Sequence, residues 1–294
     1  MKEPVFTGSG VAIVTPFTED KIDFDAFAAL IDMHLQKKTD AIIICGTTGE
    51  ASTLSDNERR DLISFCVREV NGKIPVIAGT GSNSTARAIV LSQEAEELGA
   101  DGLLVVTPYY NKTTQQGLQR HYKAIASAVA LPVILYNVPG RTGLCCTAET
   151  YAALAETENI VGVKEASGNF DLIQRTRVLC PEDFTIWSGN DEDTAAVCLL
   201  GGKGVISTAA NVIPEEMHEL CALCAADRFR EAGELQLKLK ELISALFCEI
   251  NPIPVKTALQ MMGLCSGELR LPLCERVSDN RQKLRQAMMH LGLL

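Results

Sequence analysis

No apolar run in this chain approaches the ~20 residues that a membrane-crossing helix needs. Positive charge is also short. Lys and Arg number 27 against 37 Asp and Glu, so the formal net charge is −10. That balance argues against a nucleic-acid-binding surface and against an anionic-membrane surface. The opening residues, Met1-Lys2-Glu3-Pro4-Val5-Phe6, hold no signal-peptide core, and the expectation is a cytoplasmic protein. No Gly-x-Gly-x-x-Gly turn follows the first strand-like run, which weighs against a dinucleotide-binding fold. Paired metal knuckles are missing too. Cys221-Ala222-Leu223-Cys224 has zinc-knuckle spacing, but no second pair follows and its neighbours are apolar at helical spacing. No metal is expected. Cysteine itself is plentiful, at eleven. An odd count without an export signal reads as reduced thiols, with Cys145 and Cys146 as buried or loop thiols. There is no low-complexity linker.

What the 294 residues do contain is alternation. Hydrophobic residues make up 47% and charged residues 22%, ordinary values for a globular protein with a sizeable core. Strand-like runs fall at Gly10–Thr15, Ala41–Gly46, Val76–Gly81, Gly102–Thr107, Val133–Asn137, Ile160–Lys164, Phe184–Ser188 and Gly204–Ser207. They recur at intervals of roughly 25–30 residues, the length of a strand-helix unit. Alternating units of this kind imply a parallel sheet, and eight imply a closed (β/α)8 barrel, the TIM barrel of the α/β class. Ser55-Asp56-Asn57-Glu58 is a capping box that starts a helix towards Val70. Ser84 or Asn83 caps the next helix and Thr147 another, while Gly72 and Gly99 sit where helices end. Helical patterns follow the last strand at Pro214–Ala226, Phe229–Glu249, Pro254–Met262 and Ser278–Leu291. Asn251-Pro252-Ile253-Pro254 must be an ordered turn, because two prolines exclude a helix interior. The expected division is a barrel over residues 1–225 and a helical appendage over 226–294.

Barrel active sites lie at the C-terminal ends of the strands, so the exit residues form one set. Ile160-Val161-Gly162-Val163-Lys164 reads as a buried strand with a lysine at its exit. Alternation places Lys164 on one face with Gly162 and Ile160, and Gly162 leaves room beneath the lysine stem. A poorly solvated ammonium has a lowered pKa. An ordinary lysine, with pKa near 10.4, is only about one part in a few thousand free amine at neutral pH, and only the free amine attacks a carbonyl. Lys164 is thus a candidate Schiff-base nucleophile, against the plain alternative of a lysine snorkelling to water. Tyr136 and Thr47 offer hydroxyls that give and accept protons. Gly46 and Gly49 let backbone N–H groups approach an anion. Arg141 offers a planar fork for a carboxylate. Each of these has an ordinary structural reading alone; their shared location is what joins them. Tyr109 and Tyr110, being adjacent, point opposite ways in an extended segment, so at most one faces its own barrel mouth. The other packs on a loop or a neighbouring subunit.

Gly46-Thr47-Thr48-Gly49-Glu50, Tyr109-Tyr110-Asn111-Lys112, Tyr136-Asn137-Val138-Pro139-Gly140-Arg141-Thr142-Gly143, Lys164-Glu165-Ala166-Ser167-Gly168 and Asn251-Pro252-Ile253-Pro254-Val255-Lys256 together closely resemble the dihydrodipicolinate (4-hydroxy-tetrahydrodipicolinate) synthase family. The likeness covers nearly the whole chain and lies within the pyruvate-dependent class I aldolases. It implies a lyase in which Lys164 forms an imine with pyruvate while Thr47 and Thr48 hold the pyruvate carboxylate. The enamine then attacks L-aspartate-4-semialdehyde, on the diaminopimelate route to lysine. It also implies a hydroxyl relay of Tyr136, Thr47 and Tyr110, the last entering the partner subunit's site. Arg141 would bind the second substrate, and Gly189 and Ile206 would line the pyruvate pocket. No organic cofactor is implied. The oligomer implied is a tight dimer, commonly paired into a homotetramer. Family members inhibited by lysine bind it at positions that here read Ala51, Ser52, Asp56, Arg59, Asn83, Arg87 and Tyr109. Sensitive bacterial members carry a carboxylate where Arg87 stands, and an arginine repels the lysine ammonium. Weak or absent inhibition by lysine is therefore expected.

Two competing readings differ at the acceptor end or in class. A sister aldolase of the N-acetylneuraminate or keto-sugar-acid type would keep the lysine, the tyrosine and the carboxylate loop. Arg141 and the threonine at Thr47, where the neuraminate group commonly has serine, speak against it. A non-catalytic keto-acid sensor would have lost Lys164 or Tyr136, and both are present.

Overall fold

A computed structural model describes residues 2–274 and 278–294. Eight strands close into a parallel barrel: β1 Gly8–Ala12, β2 Ala41–Ile44, β3 Val76–Gly79, β4 Gly102–Val106, β5 Val133–Asn137, β6 Ile160–Glu165, β7 Thr185–Ser188 and β8 Gly204–Ser207. Each pairs with its sequence neighbours, and β8 closes on β1. The first strand starts at Gly8 and ends at Ala12, two residues earlier than the Gly10 start read from the sequence. The reason is a close approach. A Cβ on Gly204 would lie 1.9 Å from the Gly8 carbonyl oxygen, so only glycine lets β8 and β1 pair at that level.

Side-chain alternation builds two apolar layers. Ala41, Ile43, Ile77, Leu104, Ile134 and Trp187 fill the barrel interior, with the Phe6 ring stacked on Trp187 at 5.2 Å. Val11, Ile42, Ile44, Val105, Leu135, Val163 and Val205 face outward against the helices. In β6 the alternation breaks. The β5 pairing jumps from Val133–Ile160 to Ile134–Gly162, a bulge. Ile160 consequently packs in the outer layer and Val161 in the inner one, so Gly162 and Lys164 share a face but Ile160 does not. The space at Gly162 is also not left for the lysine stem. A Cβ there would lie 2.1 Å from the Thr185 carbonyl oxygen and 2.9 Å from the Trp187 ring, so the glycine admits β7.

The helices begin where the capping residues stand. Ser55 and Glu58 close a reciprocal capping box on the helix Asp56–Val70, Ser84 caps Thr85–Glu97 and Thr147 caps Ala148–Ala155. After β8 come helices Pro214–Ala225, Phe229–Leu246, Ile253–Met261 and Ser278–His290. The outer apolar layer continues into them through Met217, Leu239, Leu242, Leu259 and Leu284. Cys221 and Cys224 are buried free thiols in the first of these helices, Cys146 is buried and Cys145 exposed. Among the described residues no helix is long and apolar enough to cross a membrane. The placement that matters for chemistry is the turn before Ile253, which carries the C-terminal segment across the strand-exit end of the barrel.

Candidate functional site at the strand exits

Lys164 stands at the exit of β6, in register with Tyr136 on β5. It is 6% exposed, and its Nζ sits over the Tyr136 ring, 4.5 Å from the centroid. Burial lowers its pKa from 10.5 to about 8; the Asp191 carboxylate works against that fall and the Arg141 guanidinium adds to it. Asp191 follows β7 and is 2% exposed. Its carboxylate accepts from the backbone N–H of Thr208 at 3.1 Å and of Ala209 at 3.0 Å, and from the Ser207 hydroxyl. It thus fixes the turn after β8 and places a counter-charge near the lysine. Sequence reading missed this role, although Asp191's position at a strand exit was the available signal. One prediction follows from the lysine environment. Its reaction with a keto acid should accelerate with pH up to about 8 and then level off; a rate still climbing beyond about pH 9.5 contradicts it.

Burial raises the Tyr136 phenol above its usual pKa, opposed by Arg141 and by the neighbouring Thr47 side chain. The phenol is therefore neutral at working pH and able to donate. The loop after β2 brings Thr47 and Thr48 to the same mouth. Thr48 Oγ1 accepts from Asn251 Nδ2 at 2.9 Å and lies 3.4 Å from Thr208 Oγ1. With one lone pair taken by the amide, the Thr48 hydroxyl is set to donate to an anion. Arg141 donates through Nη2 to the Asn251 carbonyl at 3.3 Å. Asn251 is the second contributor that sequence reading left without a role. It is distant in sequence, and its motif was read as a turn and as part of the family likeness, with no contact assigned to the side chain. Thr47, Thr48, Tyr136, Arg141, Lys164 and Gly189 line one cavity of about 200 Å³. Ile206 is not among its lining residues; it is buried in the inner barrel layer.

A second, more open cavity of about 430 Å³ adjoins the first and shares Gly46, Thr47, Tyr136 and Arg141 with it. Ala51, Ser52, Asp56, Arg59, Arg87 and Tyr109 line it. Asn83 does not; its carbonyl accepts from Asn111 Nδ2 at 2.9 Å. Arg87 pairs with Asp56, and Arg59 Nη2 donates to the Gly79 carbonyl at 2.5 Å. Tyr109 faces this cavity while Tyr110 turns away from the chain, 92% exposed with φ +68°. A tyrosine in the left-handed region is unusual and is held against a conformational cost. Tyr110 belongs to neither cavity of its own chain.

The sequence model of the "Dihydrodipicolinate synthetase family" matches residues 5–291. The 4-hydroxy-tetrahydrodipicolinate synthase of Alkaliphilus oremlandii is 54% identical over 284 residues, covering 97% of this chain and 98% of that protein. The dihydrodipicolinate synthase structure from Thermotoga maritima superposes with a TM-score of 0.98 at 46% identity, covering 99% of this chain and 100% of the other. A chloride-inhibited dihydrodipicolinate synthase from Acinetobacter baumannii, solved in complex with pyruvate, superposes with a TM-score of 0.96 at 47% identity, covering 98% and 99%. A match over nearly the full length, together with relatives near half identity over the same span, places this chain in the dihydrodipicolinate synthetase family, lyases built on a (β/α)8 barrel.

Proposed function

We propose that the protein condenses pyruvate with L-aspartate-4-semialdehyde to give 4-hydroxy-tetrahydrodipicolinate, on the diaminopimelate route to lysine in the cytoplasm. The observation that carries this reading is the buried Lys164 amine, over the Tyr136 ring in a small cavity that Thr47 and Thr48 also line. In the proposed mechanism the free amine attacks the pyruvate ketone and water leaves, giving an imine. A proton is lost from the adjacent methyl carbon and the resulting enamine attacks the aldehyde. The amino group of the added chain then displaces Lys164 as the ring closes. Thr47 and Thr48 hold the pyruvate carboxylate throughout. Arg141 takes the carboxylate of the second substrate. Tyr136, Thr47 and the partner subunit's Tyr110 move the protons, so the working unit is at least a dimer. Two things support the relay: the Thr47 side chain lowers the pKa of the neighbouring Tyr136 phenol, and Tyr110 extends away from its own chain. The pyruvate complex of the Acinetobacter baumannii relative supports the donor.

The test is turnover of pyruvate with aspartate-4-semialdehyde beside turnover with N-acetylmannosamine. Rapid condensation with the first aldehyde and none with the second is expected. The reverse preference overturns the assignment in favour of a sister aldolase. Lysine should inhibit weakly or not at all. Arg59, Arg87 and Arg141 line the second cavity, with Asp56 the one acidic lining residue among the described residues, so a lysine ammonium meets net positive charge there. Half-inhibition by lysine below millimolar contradicts this.

A further inference from the structure

Glu50 and Lys256 form an ion pair with both side chains wholly buried, Lys256 Nζ donating to Glu50 Oε1 at 2.6 Å. Neither residue lines the small cavity, but each shares a segment with one that does: Glu50 stands two residues after Thr48 and Lys256 five after Asn251. Glu50 closes the Thr47–Thr48 loop: its N–H donates to the Thr47 carbonyl at 3.1 Å. It does so in the left-handed region, at φ +52°, a conformation costly for a residue with a Cβ. Its other carboxylate oxygen accepts from the Arg270 backbone N–H at 3.1 Å. Lys256 lies one turn into the helix that begins just after Asn251, the residue that bonds Thr48. Its N–H donates to the Pro252 carbonyl at 3.0 Å, and its Nζ stands 4.3 Å from the Phe17 ring centroid. The C-terminal segment therefore holds the carboxylate loop at two points, Asn251 on Thr48 and Lys256 on Glu50.

We propose that the buried Glu50–Lys256 pair is a positioning device for substrate binding, holding the Thr47–Thr48 loop in its left-handed turn so that both hydroxyls meet the keto-acid carboxylate. This rests on the pyruvate-binding reading above. The physical reason for a charged pair here is geometry. A buried pair adds little net stability over apolar residues of similar volume, but its direction and length are fixed, so it holds one backbone arrangement where packing alone would accept several. Misplacing the two threonines weakens a contact made to the bound substrate before and during reaction. The loss accordingly falls on half-saturation by pyruvate more than on the maximal rate.

The experiment measures melting temperature and the pyruvate dependence of borohydride-trapped adduct in four full-length proteins: wild type, Lys256→Met, the double variant Glu50→Met with Lys256→Met, and Leu239→Ala. Leu239 is a fully buried core residue of the helix Phe229–Leu246 and serves as a destabilised control. Lys256→Met leaves the Glu50 charge buried alone and should lower Tm by roughly 5–10 °C. It should also raise the half-saturating pyruvate concentration about tenfold or more, the scale of one weakened hydrogen bond to a carboxylate. The double variant should regain most of the Tm and keep the raised half-saturation. Leu239→Ala should lose Tm and bind pyruvate as the wild type does. If the double variant recovers wild-type half-saturation together with Tm, or if Leu239→Ala raises half-saturation as much as Lys256→Met, the pair is a structural contact only and the proposal is overturned. A wild-type chain that forms no pyruvate adduct overturns the underlying reading instead.

Discussion

Replacing Lys164 with methionine should abolish condensation and, at neutral pH, make the protein more stable. Without the amine no imine forms, and kcat/KM should fall by at least ~10⁴-fold, about 5 kcal/mol of transition-state stabilisation. The stability gain follows from linkage. Lys164 titrates at 10.5 when unfolded and at about 8 when folded, so the folded chain binds fewer protons between those values. The penalty for burying the ammonium is complete below pH 8 and fades as the pH rises towards 10.5. Its size is about 3 kcal/mol. Methionine is of similar length and apolar, and it packs over the Tyr136 ring without that penalty. The difference in melting temperature between variant and wild type should be positive at pH 7 and shrink steadily above pH 8. Calorimetry across that range checks it; a variant no more stable than wild type at pH 7 contradicts the picture of a desolvated lysine.

Tyr136→Phe should lower kcat by ~10²–10³-fold, the scale of a lost general acid-base group. The phenol is buried and neutral, and it lines the same cavity as Thr47. Phenylalanine keeps the ring beneath the Lys164 Nζ and the packing against the inner layer, so Tm should move little. Pyruvate binding through Thr48 should also survive, leaving half-saturation within about threefold of wild type. A kcat loss below tenfold would remove Tyr136 from the relay. A large rise in pyruvate half-saturation with kcat preserved would make it a binding residue.

Much of this was readable in the sequence because parallel barrel strands are buried on both faces and their exits gather at one end. Lys164, Tyr136, Thr47 and Arg141 were placed in one set by exit position, Thr48 joined them through the family resemblance, and the structure brings all five into one cavity. What period-2 alternation could not convey is the bulge in β6, which moves Ile160 to the outer layer. Nor could it say why Gly162 is glycine, since the answer is a carbonyl on β7. Asp191, Asn251 and the Glu50–Lys256 pair act across long sequence separations, 206 residues in the last case. Only closure of the barrel and the return of the C-terminal helices bring those groups to the same end. Tyr110 is a different case: its own chain leaves it exposed, and the proposed role needs a second chain.

The central claim is that Lys164 is the one lysine whose amine is buried, uncharged in a useful fraction, and open to a keto acid. Lys256 provides the internal contrast, being still more completely buried but held by Glu50. The most direct measurement is peptide mass mapping after borohydride treatment with pyruvate. A pyruvyl adduct on the peptide carrying Lys164, and on no other lysine, is the result expected. An adduct on another lysine, or none at a saturating pyruvate concentration, would contradict the account.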